Sequence, residues 1–307
     1  MSTQSRGARG ELARKSIVIG DHIETSGNAD CLRAAAEMFA WECGFADDSD
    51  QGIDIAMLAR SGVPIIALEN APEAEDLFKY RPPAEPFAIV VGNERKGISR
   101  RVLRVADRVV QIPVASRRIN TINVAAAAAV AVHQLTHARQ RRLCACGGRG
   151  HNRPDVLFAG AGDPIELGSA VRSAACFGWS RLFVHDRRTW FAADRVTRSL
   201  ARGAARRGRN PIRVLPLGGD EPFDEVCVVS TRDGEPLPRA DLVRGGRRLV
   251  VIADHGAELD DDDLAGLGSR VRRVCLTVEP GRPCPFRLVA SIALAEIARQ
   301  SGCSLAR

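Results

Sequence analysis

Lysine is almost missing from this chain of 307 residues: Lys15, Lys79 and Lys96 are the only three, although Lys and Arg together number 44 against 37 Asp and Glu. The positive charge is therefore nearly all guanidinium, which forks onto phosphate oxygens and stacks on bases. A genomic bias toward Arg and Ala codons accounts for most of that preference, so the net charge of +7 is compatible with an anionic partner without naming one. Long apolar runs are missing too. The Ala-rich stretch from Val124 to Val132 ends at His133 and Gln134, well short of the roughly 20 residues that span a bilayer, which excludes the membrane as a location. No apolar stretch follows a basic start as in a secretory signal, and the nine cysteines are scattered singly apart from Cys144 and Cys146. An odd, unpatterned set of thiols is not a disulfide framework, and a reducing cytoplasm is the expected compartment. The length excludes a stapled miniprotein and predicts about two domains. With 45% hydrophobic and 26% charged residues, both are expected to be packed and globular.

After a polar, Arg-rich start over residues 1–14, short β-like runs at 16–19, 63–68, 87–91 and 109–112 alternate with stretches of helical spacing, the first of them from Cys31 to Trp41. Strands alternating with helices predict a parallel sheet covered on both faces. The stretch from Arg139 to Asn152 mixes charge and glycine without periodicity and reads as a linker. The same order then begins again, with strands predicted at 156–159, 181–185, 212–215, 225–230 and 249–253 and a helix from Gly168 to Phe177. One unit is written twice, and the expected domains are 1–148 and 149–307. The copies align at a helix in which Arg33 and Arg172 each precede small residues, which places these two arginines in equivalent positions. They part at Val90–Ser99 against Val251–Asp260, where the second copy has lost the glycines at the places of Gly92 and Gly97 and the Asn-Glu pair.

In the first copy the strand 87–91 runs directly into Gly92-Asn93-Glu94-Arg95-Lys96-Gly97, and Ser99 is placed to cap a helix over 100–106. A glycine-rich loop at the carboxyl end of a parallel strand is where α/β proteins admit ligands to the backbone. It is not a P-loop, since Lys96 is not followed by Ser or Thr. The next elements are Val109-Val-Gln-Ile112-Pro113, then Thr121-Ile122-Asn123 and the small-residue helix from Val124.

These residues resemble the SpoU/TrmH branch of the SPOUT methyltransferases. Asp163, Gly168, Arg172, Ser173 and Ala174 look like its first motif; Gly92, Asn93, Glu94, Gly97 and Ser99 like the second; Ile112, Pro113, Thr121, Ile122, Asn123, Val124 and Ala125 like the third. The resemblance implies two tandem SPOUT-type α/β domains with parallel sheets and deep trefoil knots, packed as an intramolecular pseudodimer that is monomeric as a chain. It implies an S-adenosylmethionine-dependent RNA 2′-O-ribose methyltransferase acting on tRNA or rRNA, with no metal required. Family members are usually homodimers in which the first-motif Arg of one subunit reaches the donor held by the other. Here the first copy keeps the donor loop but has a damaged first motif at Gly27-Asn28-Ala29-Asp30. The second copy keeps Arg172, has Glu166 at the expected Asn position and has lost its ligand loop. One composite site is expected.

In that site the resemblance makes Arg172, Glu94 and Asn123 the catalytic residues, with Asn120 a rival for the motif Asn. Arg172 acts either as general base or as stabiliser of the developing alkoxide, and Glu94 orients it by a charge-assisted hydrogen bond. The donor is expected on Leu68, Glu69, Val91, Gly92, Asn93, Gly97, Ile112, Pro113, Thr121 and Ile122. The arginines of the run 195–213, among them Arg198, Arg202, Arg206 and Arg207, are expected to follow an RNA backbone. Cys144, Cys146 and His151, with His133 or His137, lack a standard zinc spacing. Two other functions fit the same sequence: a non-catalytic RNA-binding or assembly protein, and a methyltransferase of a small molecule or protein. Retention of the Gly92–Ser99 loop beside a decayed twin favours the enzyme.

Overall fold

The computed structural model describes residues 15–47, 52–116, 120–141, 153–160, 162–185, 212–216, 222–254, 264 and 266–303. Arg198, Arg202, Arg206, Arg207, Cys144, Cys146 and His151 lie outside the described residues. The chain divides into two compact units. The first holds 1–113, 123–138 and 279–283; the second holds 114–122, 139–278 and 284–307. Among the described residues no helix is long and apolar enough to cross a membrane.

The first unit is built on β1 (Ile17–Asp21), β2 (Glu42–Ala46), β3 (Ile65–Leu68), β4 (Glu75–Asp76), β5 (Ala88–Val91) and β6 (Arg108–Gln111), all parallel in the order β2-β1-β5-β3-β6-β4. Such strands are buried on both sides and read as continuous apolar runs. Ile17, Ile19, Ile65, Ala67, Ala88 and Val90 form one face, packed against Ile55 and Leu58 of α2 (Ile55–Arg60) and Val102 of α3 (Arg100–Leu103). The alternate residues Val18, Ile66 and Ile89 are equally buried. Helices α1 (Ser26–Glu37) and α4 (Val124–Thr136) lie against one another. Helix α4 outlasts the run expected from sequence, continuing through the buried His133 and Gln134. The rings of His133 and His137 stand 4.8 Å apart beside Phe39.

The second unit contains β7 (Asp155–Ala159), α5 (Pro164–Cys176), β8 (Arg181–His185), β9 (Arg213–Pro216), β10 (Glu225–Ser230), β11 (Glu235–Pro236), β12 (Arg248–Ala253), β13 (Val271–Cys275) and α6 (Phe286–Gln300). Its order is β9-β8-β7-β12-β10-β13-β11, again parallel throughout. Read from β8, this repeats the first sheet strand for strand, with β9 added at the edge.

The strands β2, β4, β11 and β13 were not expected. β13, Val271-Arg-Arg-Val-Cys275, hides its cationic character in ion pairs: Arg272 lies 3.2 Å from the buried Glu225 and 3.0 Å from Glu235. Helix α1 begins at Ser26 rather than Cys31, and α5 begins at Pro164 behind the Asp163 cap rather than at Gly168. Asp163 accepts from Ile165 N and Glu166 N, with Pro at the first turn where its missing N–H costs nothing.

The units also share a detail of composition. Segment 114–122, which in the chain precedes α4, belongs to the second unit, where Ala115 N and Ser116 N donate to Cys176 O at 3.0 and 3.1 Å. Segment 279–283, which precedes α6, belongs to the first, where Glu279 N donates to Met38 O at 2.8 Å. Cys176 and Met38 each stand thirteen residues after their helix caps, Asp163 and Thr25.

Candidate active site

Leu68, Val91 and Gln111 end three neighbouring strands, in the order β5-β3-β6, with Leu68 registered against Val91 and Val110. Leu68, Glu69, Val91, Gly92, Asn93, Gly97, Ile112 and Pro113 therefore lie along one sheet end in the first unit, while Thr121 and Ile122 belong to the second. Glu69 ties this edge together, taking Val110 O with its backbone N–H at 3.0 Å and accepting from Ile98 N at 2.7 Å through Oε2.

The loop after β5 closes on itself. Asn93 and Gly97 exchange both backbone hydrogen bonds at 3.0 Å, and Asn93 Oδ1 accepts from Arg95 N and Lys96 N. Gly97 has φ +70°, which suits glycine. A Cβ on Gly92 would stand 2.3 Å from both Gly97 C and Ile98 N. The space at Gly92 is thus filled by the loop's own backbone, not reserved for a ligand, and this glycine is needed to close the loop. Asn93 Nδ2 donates to His22 O at 2.7 Å, fastening the loop to the end of β1, and Ser99 N donates to Asp21 Oδ2 at 2.6 Å.

Glu94 leaves this rigid loop toward α1. Its carboxylate accepts from Glu24 N (3.1 Å), Thr25 N (3.3 Å), Thr25 Oγ1 (3.1 Å) and Asn28 Nδ2 (2.6 Å). Burial works to raise its pKa, but the hydrogen bonds led by Asn28 prevail and hold the carboxyl below its ordinary 4.5. The Thr25 side chain makes no cap bond of its own. A carboxylate about 70 residues away supplies the negative end instead, which is why α1 starts earlier than local sequence suggests. Asn123 caps α4, accepting from Ala125 N (3.0 Å) and Ala126 N (3.2 Å), and its Nδ2 donates to Asn28 Oδ1 at 3.0 Å. Glu94, Asn28 and Asn123 form one chain of hydrogen bonds. Between the two candidate asparagines, the capping and bridging role falls to Asn123. Asn28 was missed as a site residue; the available signal was its place two residues after Ser26, opposite Glu166 of the second copy.

Glu94 was expected to orient Arg172, but its acceptor sites are turned to α1. Arg172 is oriented by Thr121, through Nε to Thr121 O at 2.6 Å and Nη2 to Thr121 Oγ1 at 2.7 Å. Both partners are neutral oxygens. The Cys176 thiol, one turn along α5, is pushed up to about 12 by burial despite Arg172, so it carries no charge at neutral pH. Burial in turn draws the Arg172 guanidinium below its ordinary 12.5. Arg33, expected to be its equivalent, is not: Arg172 stands nine residues after its cap and Arg33 eight, so the counterpart of Arg172 is the buried Ala34. One residue of offset turns a side chain about 100° around a helix. Arg33 accordingly pairs with Asp30 at 2.9 Å and lies over the Phe45 ring.

In the second unit the residue three positions past the cap is Glu166, as Asn28 is in the first. Glu166 Oε1 meets Arg287 Nε at 2.6 Å and Oε2 accepts from Arg287 N at 2.8 Å. A half-buried ion pair stands where the first unit has its neutral asparagines.

Residues 15–133 match the model of the SpoU rRNA Methylase family. Over that segment the chain is similar to the SpoU methylases. An uncharacterised tRNA/rRNA methyltransferase of Mycobacterium leprae is 35% identical over 85 residues, which cover 28% of this chain and 26% of that protein. The match thus spans about a quarter of the relative's length. Among solved structures, the SpoU methyltransferase AviRb from Streptomyces viridochromogenes in complex with the cofactor AdoMet is 17% identical, with a TM-score of 0.35 over 42% of this chain and 59% of its own. The TrmH/SpoU tRNA modifying enzyme of A. aeolicus is 18% identical, with a TM-score of 0.34 over 45% of this chain and 83% of its own.

Proposed function

We propose that the chain is an S-adenosylmethionine-dependent RNA 2′-O-ribose methyltransferase, a tandem pseudodimer whose knotted halves supply one composite site. The observation that carries this reading is the fastening of Arg172, from the first motif of the second copy, onto Thr121, from the third motif of the first. The repeated strand order and the matching roles of Cys176 O and Met38 O support the duplicated arrangement.

The residues at the sheet end fit the donor. The side chains of Leu68, Ile112 and Pro113 offer an apolar seat for a planar base, and the carbonyl ends of three adjacent parallel strands suit a sulfonium cation. Leu68, Glu69, Val91, Ile112, Pro113, Thr121 and Ile122 would hold it, with Gly92, Asn93 and Gly97 keeping the loop in shape. Bound there, S-adenosylmethionine supplies an electrophilic methyl group. Arg172 has five N–H donors; the two engaged by Thr121 fix the guanidinium plane, and the rest are left for the acceptor. Its charge, facing only neutral partners, stabilises negative charge developing on a ribose 2′-oxygen as the proton leaves. Glu94 and Asn123 act through Asn28, holding α1 and α4 against the donor loop so that the acceptor meets a fixed geometry.

The test is incubation of the full chain with methyl-labelled S-adenosylmethionine and total tRNA or ribosomal RNA, followed by alkaline hydrolysis. A 2′-O-methyl group blocks cleavage of the adjoining phosphodiester, so label is expected in alkali-stable dinucleotides. Label on bases, on protein or nowhere would overturn the proposal.

A further inference from the structure

The two copies have the same strand order, yet the segment following β5 and the matching segment following β12 carry opposite charge. Residues 92–104 contain five cations, Arg95, Lys96, Arg100, Arg101 and Arg104, and one acid, Glu94. Residues 253–265 contain six acids and neither Lys nor Arg. Drift in an unselected surface scatters charges; it does not sort them by sign between two copies of one fold.

The structure shows how the cations of the first copy are displayed. Val102 is buried beneath α3 in the core and Ser99 caps that helix, so Arg100, Arg101 and Arg104 project outward. The bonds of Asn93 with Gly97, Glu69 with Ile98, and Asp21 with Ser99 hold the preceding loop, and Lys96 with it, on a fixed base. Arg95 lies 3.5 Å from Glu24 and Arg101 3.7 Å from Asp54, so these two are partly neutralised. Lys96, Arg100 and Arg104 are exposed and, among the described residues, make no ion pair. Arg100 and Arg104 are one helical turn apart, roughly 6 Å, on the same side of α3.

We propose that this ridge, Lys96, Arg100 and Arg104, is where the sugar-phosphate backbone of the RNA substrate docks, beside the loop that carries Glu94. A row of exposed cations, without ion pairs among the described residues and on a hydrogen-bonded base, suits a linear polyanion, whereas a small anion needs donors that converge on it. RNA as the polyanion rests on the methyltransferase reading above; the ridge itself rests on charge and geometry.

The test combines Lys96→Gln, Arg100→Gln and Arg104→Gln in the full chain, with Arg239→Gln, an exposed arginine of the second unit, as the control. Total tRNA is the probe, titrated over a range of salt. Affinity is expected to fall about tenfold to hundredfold in the triple variant and the slope of log K against log salt to shrink by about two to three, with the control unchanged. Binding of S-adenosylmethionine by calorimetry and the thermal midpoint should not move, since all three side chains are exposed. Unchanged RNA affinity and salt slope in a folded triple variant would overturn the ridge, whether or not the wild type transfers methyl groups. Failure of the wild type to bind tRNA would overturn it as well. Wild-type binding with the expected salt slope but without methyl transfer would overturn the enzymatic reading and leave the ridge standing.

Discussion

Three positions past the first cap of each unit the chain makes a different choice. In the first unit Asn28 links Glu94 to Asn123 and leaves every partner neutral except one carboxylate. In the second, Glu166 is joined to Arg287 by both a side-chain and a backbone contact. The same helix position can therefore serve as a hub for polar groups at a strand end or as a clasp between two helices. The hub stands beside the loop that holds Gly92 and Gly97.

The largest effect expected from disturbing this contrast is at Arg172. Arg172→Ala should lower the single-turnover transfer rate by about 10² to 10³ while donor affinity by calorimetry barely changes, the usual scale for losing a group that stabilises developing charge. Arg33→Ala should be close to neutral, because Arg33 is turned to Asp30 and Phe45. Equal losses at both arginines would restore their equivalence and break the asymmetry.

The clasp comes next. Glu166→Ala strands the Arg287 guanidinium at a half-buried site and should destabilise the chain by about 3 kcal/mol in urea unfolding, whereas Glu166→Leu with Arg287→Met should recover most of that loss. Donor stoichiometry should stay at one per chain in the double variant. A loss of donor binding there would give the Glu166–Arg287 clasp a ligand role that the contrast denies it.

Asn28→Ala should cost about 1 to 3 kcal/mol, since it leaves a carboxylate oxygen and the Asn123 amide without their shared partner. Asn28→Glu, which imports the residue of the second copy, should cost more because two carboxylates would then face each other. Donor affinity should fall in both. If Asn28→Glu proves harmless, the hub and the clasp are interchangeable.

The smallest expected effect is a pH signature. Hydrogen bonds hold Glu94 below its ordinary 4.5, so its stabilising contribution is fully present above that value and is lost as pH falls through the lowered folded pKa. Wild type should exceed Glu94→Gln in thermal stability at pH 7, and the gap should close as pH falls below 4.5 and through the lowered folded value. A gap independent of pH would assign the effect to shape rather than charge.

Much of the fold was legible because parallel strands buried on both faces announce themselves as apolar runs, as at 88–91 and 225–230. The strands that escaped were the edges β2, β4 and β11, and β13, whose arginines are neutralised by acids distant in the chain. The second and third motifs could be read because loop closure and capping are local: Gly92, Gly97, Ser99 and Asn123 act on neighbours. Asn28 could not be read that way, since its partners lie 66 and 95 residues away. The same nonlocality misled the comparison of Arg33 with Arg172, whose register is set by where each helix is capped rather than by the similarity of the flanking alanines.

Each compact unit takes in a short piece from the other half of the chain, 114–122 in one and 279–283 in the other. Neither half of the sequence, cut at the linker, contains a complete unit. For a gene that arose by duplication, such an exchange works as a ratchet. On the duplication proposed above, deleting either copy would also dismantle the unit that its twin completes, so the second half is kept by inheritance for the fold it completes.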